Sequence, residues 1–103
     1  MLSKEQIMSN LECLMPQLSV MFGVKRIGLF GSYVQNTADE SSDIDLIIEF
    51  NSPPGLDFIR LCDFLEETLN KKVDVITPDG LKSIRVESVK DNIMSSIEYV
   101  RTA

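Results

Sequence analysis

The stretch from Asp43 to Phe50 constrains the fold more than any other part of the chain, because apolar and acidic residues alternate along much of it. Side chains of a β-strand point alternately to its two faces. One face of the predicted strand carries Ile44, Leu46, Ile48 and Phe50. The other face carries Asp43, Asp45, Ile47 and Glu49. One face is therefore suited to a hydrophobic core, and the other presents two aspartates at its beginning.

The residues before this strand predict a helix, a strand and a short helical turn. Ser3-x-x-Gln6 fits a capping box, which opens a helix. Pro16 lies inside the apolar pattern that follows, so we expect this helix to kink or stop near Met15. The segment Lys25–Phe30 predicts a strand that Gly31-Ser32 ends. Tyr33–Asn36 is long enough for one helical turn, and 37–42 is a polar loop.

The residues after the strand predict a helix, a third strand and a last helix. Asn51 or Ser52 is a candidate cap for a helix whose apolar positions are Phe58, Leu61, Leu65 and Leu69. Lys72–Thr77 predicts the third strand, and Pro78-Asp79-Gly80 a turn. The apolar positions of the last predicted helix are Val86, Val89, Ile93, Ile97 and Val100.

This order of elements predicts a single α/β (α+β) domain over residues 1–103, with a small mixed β-sheet and helices mainly on one face. The helix between the second and third strands implies a parallel crossover. The short connection between the first and second strands favours antiparallel pairing. A chain of 103 residues sets an expectation of one domain.

Composition excludes several classes of function. The chain has no histidine, so histidine catalysis and His/Cys zinc sites are excluded. The net charge of -6 disfavours a protein that coats nucleic acid, and we expect no direct nucleic-acid binding. Cys13 and Cys62 lie in apolar helical patterns, so both are expected to be buried thiols rather than a disulfide. No signal core or membrane span is evident, and a reducing cytoplasm is the expected location.

Asp43 and Asp45 form the first part of a candidate metal site. Two residues apart on a strand, their Cα atoms would lie about 6.5 Å apart and their carboxylates would point the same way. Such carboxylates repel unless a cation lies between them, and Mg²⁺ is usually held by one or two carboxylates plus substrate phosphates. Alone, an Asp-x-Asp pair is a weak signal, because such pairs also occur by chance in solvated acidic turns. Asp74, between two valines of the third strand, can supply a third carboxylate on the same face.

Gly31-Ser32 is the candidate phosphate-binding part of the same site. Glycine lets the backbone turn sharply and lets a ligand approach closely. The amides that follow would open a helix, where phosphate binds favourably, and Ser32 has a hydroxyl to donate. An ordinary strand-ending turn with Ser32 as helix cap explains the dipeptide equally well.

Together, these pieces resemble the minimal nucleotidyltransferases (MNT) of the DNA polymerase beta-like superfamily. The resemblance rests on Ile-Gly-Leu-Phe-Gly-Ser-Tyr, then Ser-Asp-Ile-Asp-Leu-Ile-Ile-Glu-Phe, then Lys-Val-Asp-Val-Ile-Thr-Pro, and it covers roughly residues 20 to 100. It implies the nucleotidyltransferase fold. It also implies that Gly31 and Ser32 bind the phosphates of the nucleotide donor, and that Asp43, Asp45 and Asp74 hold two Mg²⁺ ions. Asp74 would also help to deprotonate the attacking hydroxyl.

A short stand-alone member of this family resembles the MNT partner of a HEPN ribonuclease toxin. The resemblance implies an antitoxin that transfers AMP from ATP to a tyrosine hydroxyl of the toxin. One departure concerns position 35, where Gln35 replaces the arginine that relatives often carry after the Gly-Ser pair. The lost charge weakens the expected hold on the triphosphate.

Two other functions stay open at this point. In the first, the chain is a binding module that neutralises the toxin by stoichiometric complex formation, which net charge -6 would suit. In the second, the chain modifies RNA or a small molecule, but no basic groove supports this function. Whether the chain forms a homo- or hetero-oligomer is not determined by the sequence.

Overall fold

The computed structural model of the chain describes residues 2–85 and 87–101. The described residues form these elements, in order along the chain: α1 Lys4–Phe22, β1 Val24–Phe30, α2 Ser32–Gln35, β2 Ile44–Phe50, α3 Asp57–Leu69, β3 Val73–Ile76, α4 Pro78–Lys82, α5 Glu87–Ser96 and β4 Glu98–Tyr99. No helix of the described residues has both the length and the apolar character needed to cross a bilayer.

Within the described part of the chain, four strands form one sheet in the order β3-β2-β1-β4. β1 pairs with β2 antiparallel, and β2 pairs with β3 in parallel through the crossover helix α3. The predicted mixed sheet is therefore confirmed, including the direction of both predicted strand pairs. It was predicted with three strands, and the structure adds β4 as a fourth, paired antiparallel with β1.

The main hydrophobic core lies between α1, α3 and one face of the sheet. The apolar face predicted for β2 is buried there through Ile44, Leu46 and Ile48, each 0% exposed. A smaller cluster on the opposite face contains Phe30, Ile47 and Leu81. The two long helices therefore cover one face of the sheet, as predicted.

Helix α1 begins with the predicted capping box and continues past Pro16. The Ser3 hydroxyl accepts a hydrogen bond from the Gln6 amide, and the Gln6 side chain accepts one from the Ser3 amide. A stop near Met15, one of the two outcomes expected at Pro16, does not occur, since α1 runs on to Phe22 and ends at Gly23, in the left-handed conformation. Pro16 is exposed, whereas Met15 and Leu18 on either side of it are buried. Their burial helps to offset the lost backbone hydrogen bond.

The last part of the chain differs most from the prediction. Helix α5 ends at Ser96, and Glu98–Tyr99 pairs with β1, so the predicted helix through Val100 was wrong. Val86 and the side chain of Val89 lie outside the described residues. Gly28 of β1 leaves room for Ile97, which precedes β4, since a Cβ at position 28 would lie 2.5 Å from Ile97 Cγ2.

Three smaller predictions about local structure were also wrong. Pro78-Asp79-Gly80 begins helix α4, capped by the Thr77 hydroxyl, rather than forming a turn. Leu56 precedes α3 as its cap, instead of Asn51 or Ser52. Cys13 is exposed and Cys62 only half-buried, because the buried stripes of their helices pass through Leu11 and Leu61 instead. Both thiols are free, as predicted.

Candidate active site at the Gly31 corner

Gly31 turns the chain from β1 into α2 at a point where only glycine fits. Its backbone has φ 79° and ψ -148°, a conformation nearly restricted to glycine. A Cβ at this position would overlap the Asp45 carboxylate oxygen Oδ2 and lie 3.1 Å from Asp45 Cγ. The absence of a side chain at Gly31 therefore brings the Gly-Ser turn into contact with the second aspartate of the Asp-x-Asp pair.

Ser32 is the first residue of α2 rather than its cap. Gly31 takes the cap position, and its carbonyl accepts hydrogen bonds from the amides of Val34 and Gln35. The first amides of a helix have no carbonyl of their own helix to bind. In α2 those amides belong to Ser32 and Tyr33, which follow Gly31 directly.

The sheet register places Asp45 and Asp74 side by side. Asp45 on β2 pairs with Phe30 on one side and with Asp74 on β3 on the other. Asp43 immediately precedes β2, two positions from Asp45. Asp43 and Asp45 are half-buried, and Asp74 is exposed. The structure thus brings all three carboxyl-bearing residues to one end of the sheet, beside Gly31.

The pKa of Asp45 is raised by its surroundings. Partial burial, followed by the charges of Asp74 and then Asp43, raises the pKa of Asp45 from 3.8 to about 6. Burial disfavours the charged form, and each neighbouring carboxylate adds repulsion. A divalent cation close to these carboxylates would relieve the repulsion between them.

The loop before Asp43 is ordered by Asp39. Its carboxylate oxygen Oδ1 accepts hydrogen bonds from the Ser41 hydroxyl at 2.6 Å and the Ser41 amide at 2.8 Å. Both contacts lower the pKa of Asp39, and the hydrogen bond from the Ser41 hydroxyl has the larger effect. The Lys71 Nζ also donates to the Glu40 carbonyl at 2.8 Å, which links this loop to the turn before β3. Sequence reasoning missed this support, although Asp-x-Ser-Ser is a typical side-chain-to-backbone turn pattern.

The donor chemistry of this corner suits Mg²⁺. The available ligands are carboxylate and hydroxyl oxygens, which a hard cation prefers, and nucleotide phosphates and waters usually complete its coordination. Within residues 2–85 and 87–101, however, no three His, Cys, Asp or Glu side chains form a group that could hold a metal ion as they stand. The assignment of Asp43, Asp45 and Asp74 as metal ligands therefore stays a prediction.

Two side chains near the corner have different surroundings from those of the aspartates. Tyr33 follows the Gly-Ser turn, but it is 3% exposed and packs in the main core, so its ring is not available to stack on a nucleotide base. Gln35 is exposed at the end of α2.

Two charged residues on the same side of the sheet lie far along β2 from the corner. Glu49 forms an ion pair with Arg26, Oε2 to Nε 3.0 Å. Lys82 lines a groove with the end of β2 and the loop after it, far along the strand from Asp45. Neither residue therefore joins the aspartates.

Comparison with known proteins identifies relatives over nearly the whole chain. A family model described as "Nucleotidyltransferase domain" matches residues 13–100. The protein adenylyltransferase MntA of Thermococcus cleftensis is 38% identical over 101 residues, covering 97% of this chain and 98% of that protein.

Solved structures share the fold. One described as a "putative minimal nucleotidyltransferase" has a TM-score of 0.71 at 24% identity, covering 94% of this chain and 95% of that chain. A chain from the complex described as a tri-AMPylated Shewanella oneidensis HEPN toxin with MNT antitoxin has a TM-score of 0.59 at 18% identity. The match covers 94% of this chain and 73% of that chain. These two similarities concern the fold alone.

Proposed function

Because this chain belongs to the nucleotidyltransferase domain family, we propose that it is an antitoxin that transfers AMP from ATP to a tyrosine hydroxyl of a HEPN-type ribonuclease toxin. The chain is a nucleotidyltransferase, given the family and the MntA protein of Thermococcus that it is similar to from end to end. The nucleotide donor, the acceptor and the roles of individual residues are the proposal. The names of the adenylyltransferase relative and of the HEPN–MNT complex support the donor and the class of acceptor.

The observation that carries the proposal is the contact between Gly31 and Asp45 at the point where Asp74 lies alongside. Nucleotidyl transfer requires a place for phosphates next to a place for divalent cations, because the reaction depends mainly on positioning and charge neutralisation. At the Gly31 corner, the turn that opens α2 contacts Asp45, and the charges of Asp74 and Asp43 are near enough to raise the pKa of Asp45.

In the proposed reaction, each residue has a defined task. Gly31 and Ser32 bind phosphate oxygens of ATP, and Asp43, Asp45 and Asp74 would hold two Mg²⁺ ions. Bound Mg²⁺ would neutralise the phosphate charge and favour the ionised acceptor. The tyrosine oxygen attacks the α-phosphorus, the bond to the pyrophosphate oxygen breaks, and pyrophosphate leaves. Asp74 helps to accept the proton of the tyrosine hydroxyl.

The position of Asp74 suits an acceptor that is itself a protein. Asp74 is exposed on β3, which is an edge strand of the sheet, whereas Asp45 is half-buried beside β1. A hydroxyl can therefore approach from the open edge of the sheet. An exposed edge is accessible to a side chain carried on the surface of a folded partner.

The exposed Gln35 favours a second candidate function, a non-catalytic antitoxin that acts by stoichiometric binding. Position 35 lies at the end of α2, one helical turn from Ser32, and carries no charge. A triphosphate held at the corner would therefore lack one cation. Net charge -6 would still suit a complex with a basic ribonuclease surface.

One experiment separates the two functions. The chain is incubated with ATP, Mg²⁺ and the toxin encoded by its neighbouring gene, and the mass of the toxin is then measured. A gain of AMP on a tyrosine, lost in the Asp43→Ala variant with its fold intact, supports the transferase. A stable complex with no change in mass, equally stable with Asp43→Ala, refutes transfer and supports the binding module.

A further inference from the structure

Lys72 lies level with Asp43 at the end of the sheet where Asp45 and Asp74 also lie. Its carbonyl accepts a hydrogen bond from the Ile44 amide at 3.0 Å, and Ile44 pairs with Val73. This bond extends the parallel β2–β3 ladder to Lys72, the residue just before the start of β3. Lys72 is thereby part of the pleated sheet and lies next to Asp43, as Asp74 lies next to Asp45.

Strand alternation puts Lys72 on the second face of the sheet, the face that carries Asp74. Val73 is buried in the main core, whereas Asp74 is exposed and Ile76 packs in the cluster on the second face. Even-numbered residues of this segment thus belong to the second face, since side chains alternate along a strand. Lys72 is exposed, consistent with that face.

Lys72 has no side-chain hydrogen bond or ion pair within the described part of the chain, which distinguishes it from several other lysines. Lys4 pairs with Glu98 at 3.1 Å, and Lys25 with Glu49 at 3.7 Å. Lys71, its neighbour in sequence, donates to the Glu40 carbonyl. The ammonium of Lys72 is therefore available to a ligand at the end of the sheet where Asp43 and Asp74 lie.

A triphosphate at this corner would need such a cation. The three aspartates already bring negative charge, and Gln35 supplies none. Lysine is a common phosphate ligand that acts as a point charge on a flexible stem, so it can reach a phosphate without a fixed geometry.

We propose that Lys72 binds the phosphate chain of the donor nucleotide and supplies the positive charge that Gln35 lacks. This inference rests on the proposed nucleotidyl transfer, because it takes the three aspartates as the metal-binding side of the same site. Lys72 acts on nucleotide affinity, and its contribution is separate from metal binding.

The test compares binding of Mg-ATP with binding of Mn²⁺ alone, both measured by calorimetry, in Lys72→Met and Lys72→Arg. Charge-assisted hydrogen bonds contribute about 1.5–3 kcal/mol, so we expect Lys72→Met to weaken Mg-ATP binding at least about tenfold. Lys72→Arg keeps the charge and should bind within about threefold of the wild type. Binding of Mn²⁺ alone should stay equal or become tighter in Lys72→Met, because a positive charge near the carboxylates has been removed.

Lys82→Met is the matched control. Lys82 is also exposed, and its loss changes the net charge equally, but it lies by the far end of β2 with Pro53 and Pro54. Its loss should leave Mg-ATP binding unchanged. Equal losses in Lys72→Met and Lys82→Met would show a general effect of net charge and overturn the inference.

The outcomes separate this inference from the proposed function. Wild-type Mg-ATP affinity in Lys72→Met overturns the role of Lys72, whether or not AMP is transferred. A Lys72-dependent affinity in a protein that transfers no AMP to the toxin supports the role of Lys72 and refutes the transferase. Failure of the wild type to bind Mg-ATP overturns both.

Discussion

Replacing Asp45 with asparagine should stabilise the metal-free protein while it removes a proposed metal ligand. The asparagine side chain has nearly the shape of the aspartate but would carry no charge beside Asp74 and Asp43. The pKa of Asp45 rises from 3.8 to about 6, which corresponds to a cost of about 3 kcal/mol for its charged form at 1.36 kcal/mol per unit. Because the side chain is only half-buried, solvent screening reduces the expected gain to about 1 kcal/mol.

The pH dependence of this gain has a defined sign. Between pH 3.8 and about 6, the folded protein binds more protons at Asp45 than the unfolded chain does. The contribution of Asp45 to stability is therefore fully present below the lower value and is lost as the pH rises through the higher one. The stability advantage of Asp45→Asn should thus be largest above about pH 7 and shrink toward about pH 5.

The assays are urea unfolding and thermal unfolding, both followed by circular dichroism, in a chelator and again in Mg²⁺, over this pH range. A gain of about 1 kcal/mol corresponds to about 4–8 °C in the melting temperature of a small domain. Mg²⁺ should stabilise the wild type more than the variant, since binding to the folded state adds to stability. The control is Asp63→Asn on the exposed side of α3. A variant less stable than the wild type in chelator at about pH 8, or a gain that does not depend on pH, would refute the argument.

Three further predictions concern the corner and its support. Gly31→Ala should destabilise the fold by about 2–3 kcal/mol in urea unfolding, since the new Cβ strains the backbone and overlaps the Asp45 carboxylate. The control Gly55→Ala, at φ 57° with open space around it, should cost only about 1 kcal/mol, and equal costs would refute the role of the Asp45 contact. Tyr33→Phe should raise the free energy of unfolding by up to about 1 kcal/mol, because the Tyr33 hydroxyl is buried without a hydrogen-bond partner in the part of the chain described; a loss above about 1 kcal/mol would point to a hidden partner. Gln35→Arg should tighten Mg-ATP binding several-fold in calorimetry with little change in melting temperature, because position 35 is exposed; unchanged affinity would place the phosphates away from α2.

The residues of the candidate site could be identified from the sequence because they lie at strand ends and form a spaced pattern. Asp43 and Asp45 interrupt an otherwise apolar strand, and Gly31-Ser32 ends the strand before it. The structure adds the contact between Gly31 and Asp45 and the register that pairs Asp45 with Asp74. Local periodicity indicates the face of each residue, but it does not indicate which residue of another strand lies alongside.

The C-terminal segment shows why local patterns fail. Ile93 and Ile97 have helical spacing, so the sequence predicts a helix through Val100. The structure ends α5 at Ser96 because the backbone of Glu98–Val100 can pair with β1, and Val100 is 5% exposed in the main core. Tertiary pairing outweighed local propensity. The same holds for Pro16, where core packing by the neighbouring residues carries α1 past a helix breaker.

The sequence by itself determined the mixed α/β class, the buried face of β2 and the capping box of α1, and it named the acidic residues that are the candidate metal ligands. These features depend on residue type and on spacing within a single element. Only the tertiary structure decided that β4 completes the sheet, that Asp45 has a raised pKa, and that Lys72 extends the ladder beside Asp43. Each of these depends on contacts between residues distant in the chain, which become neighbours only when the strands pair.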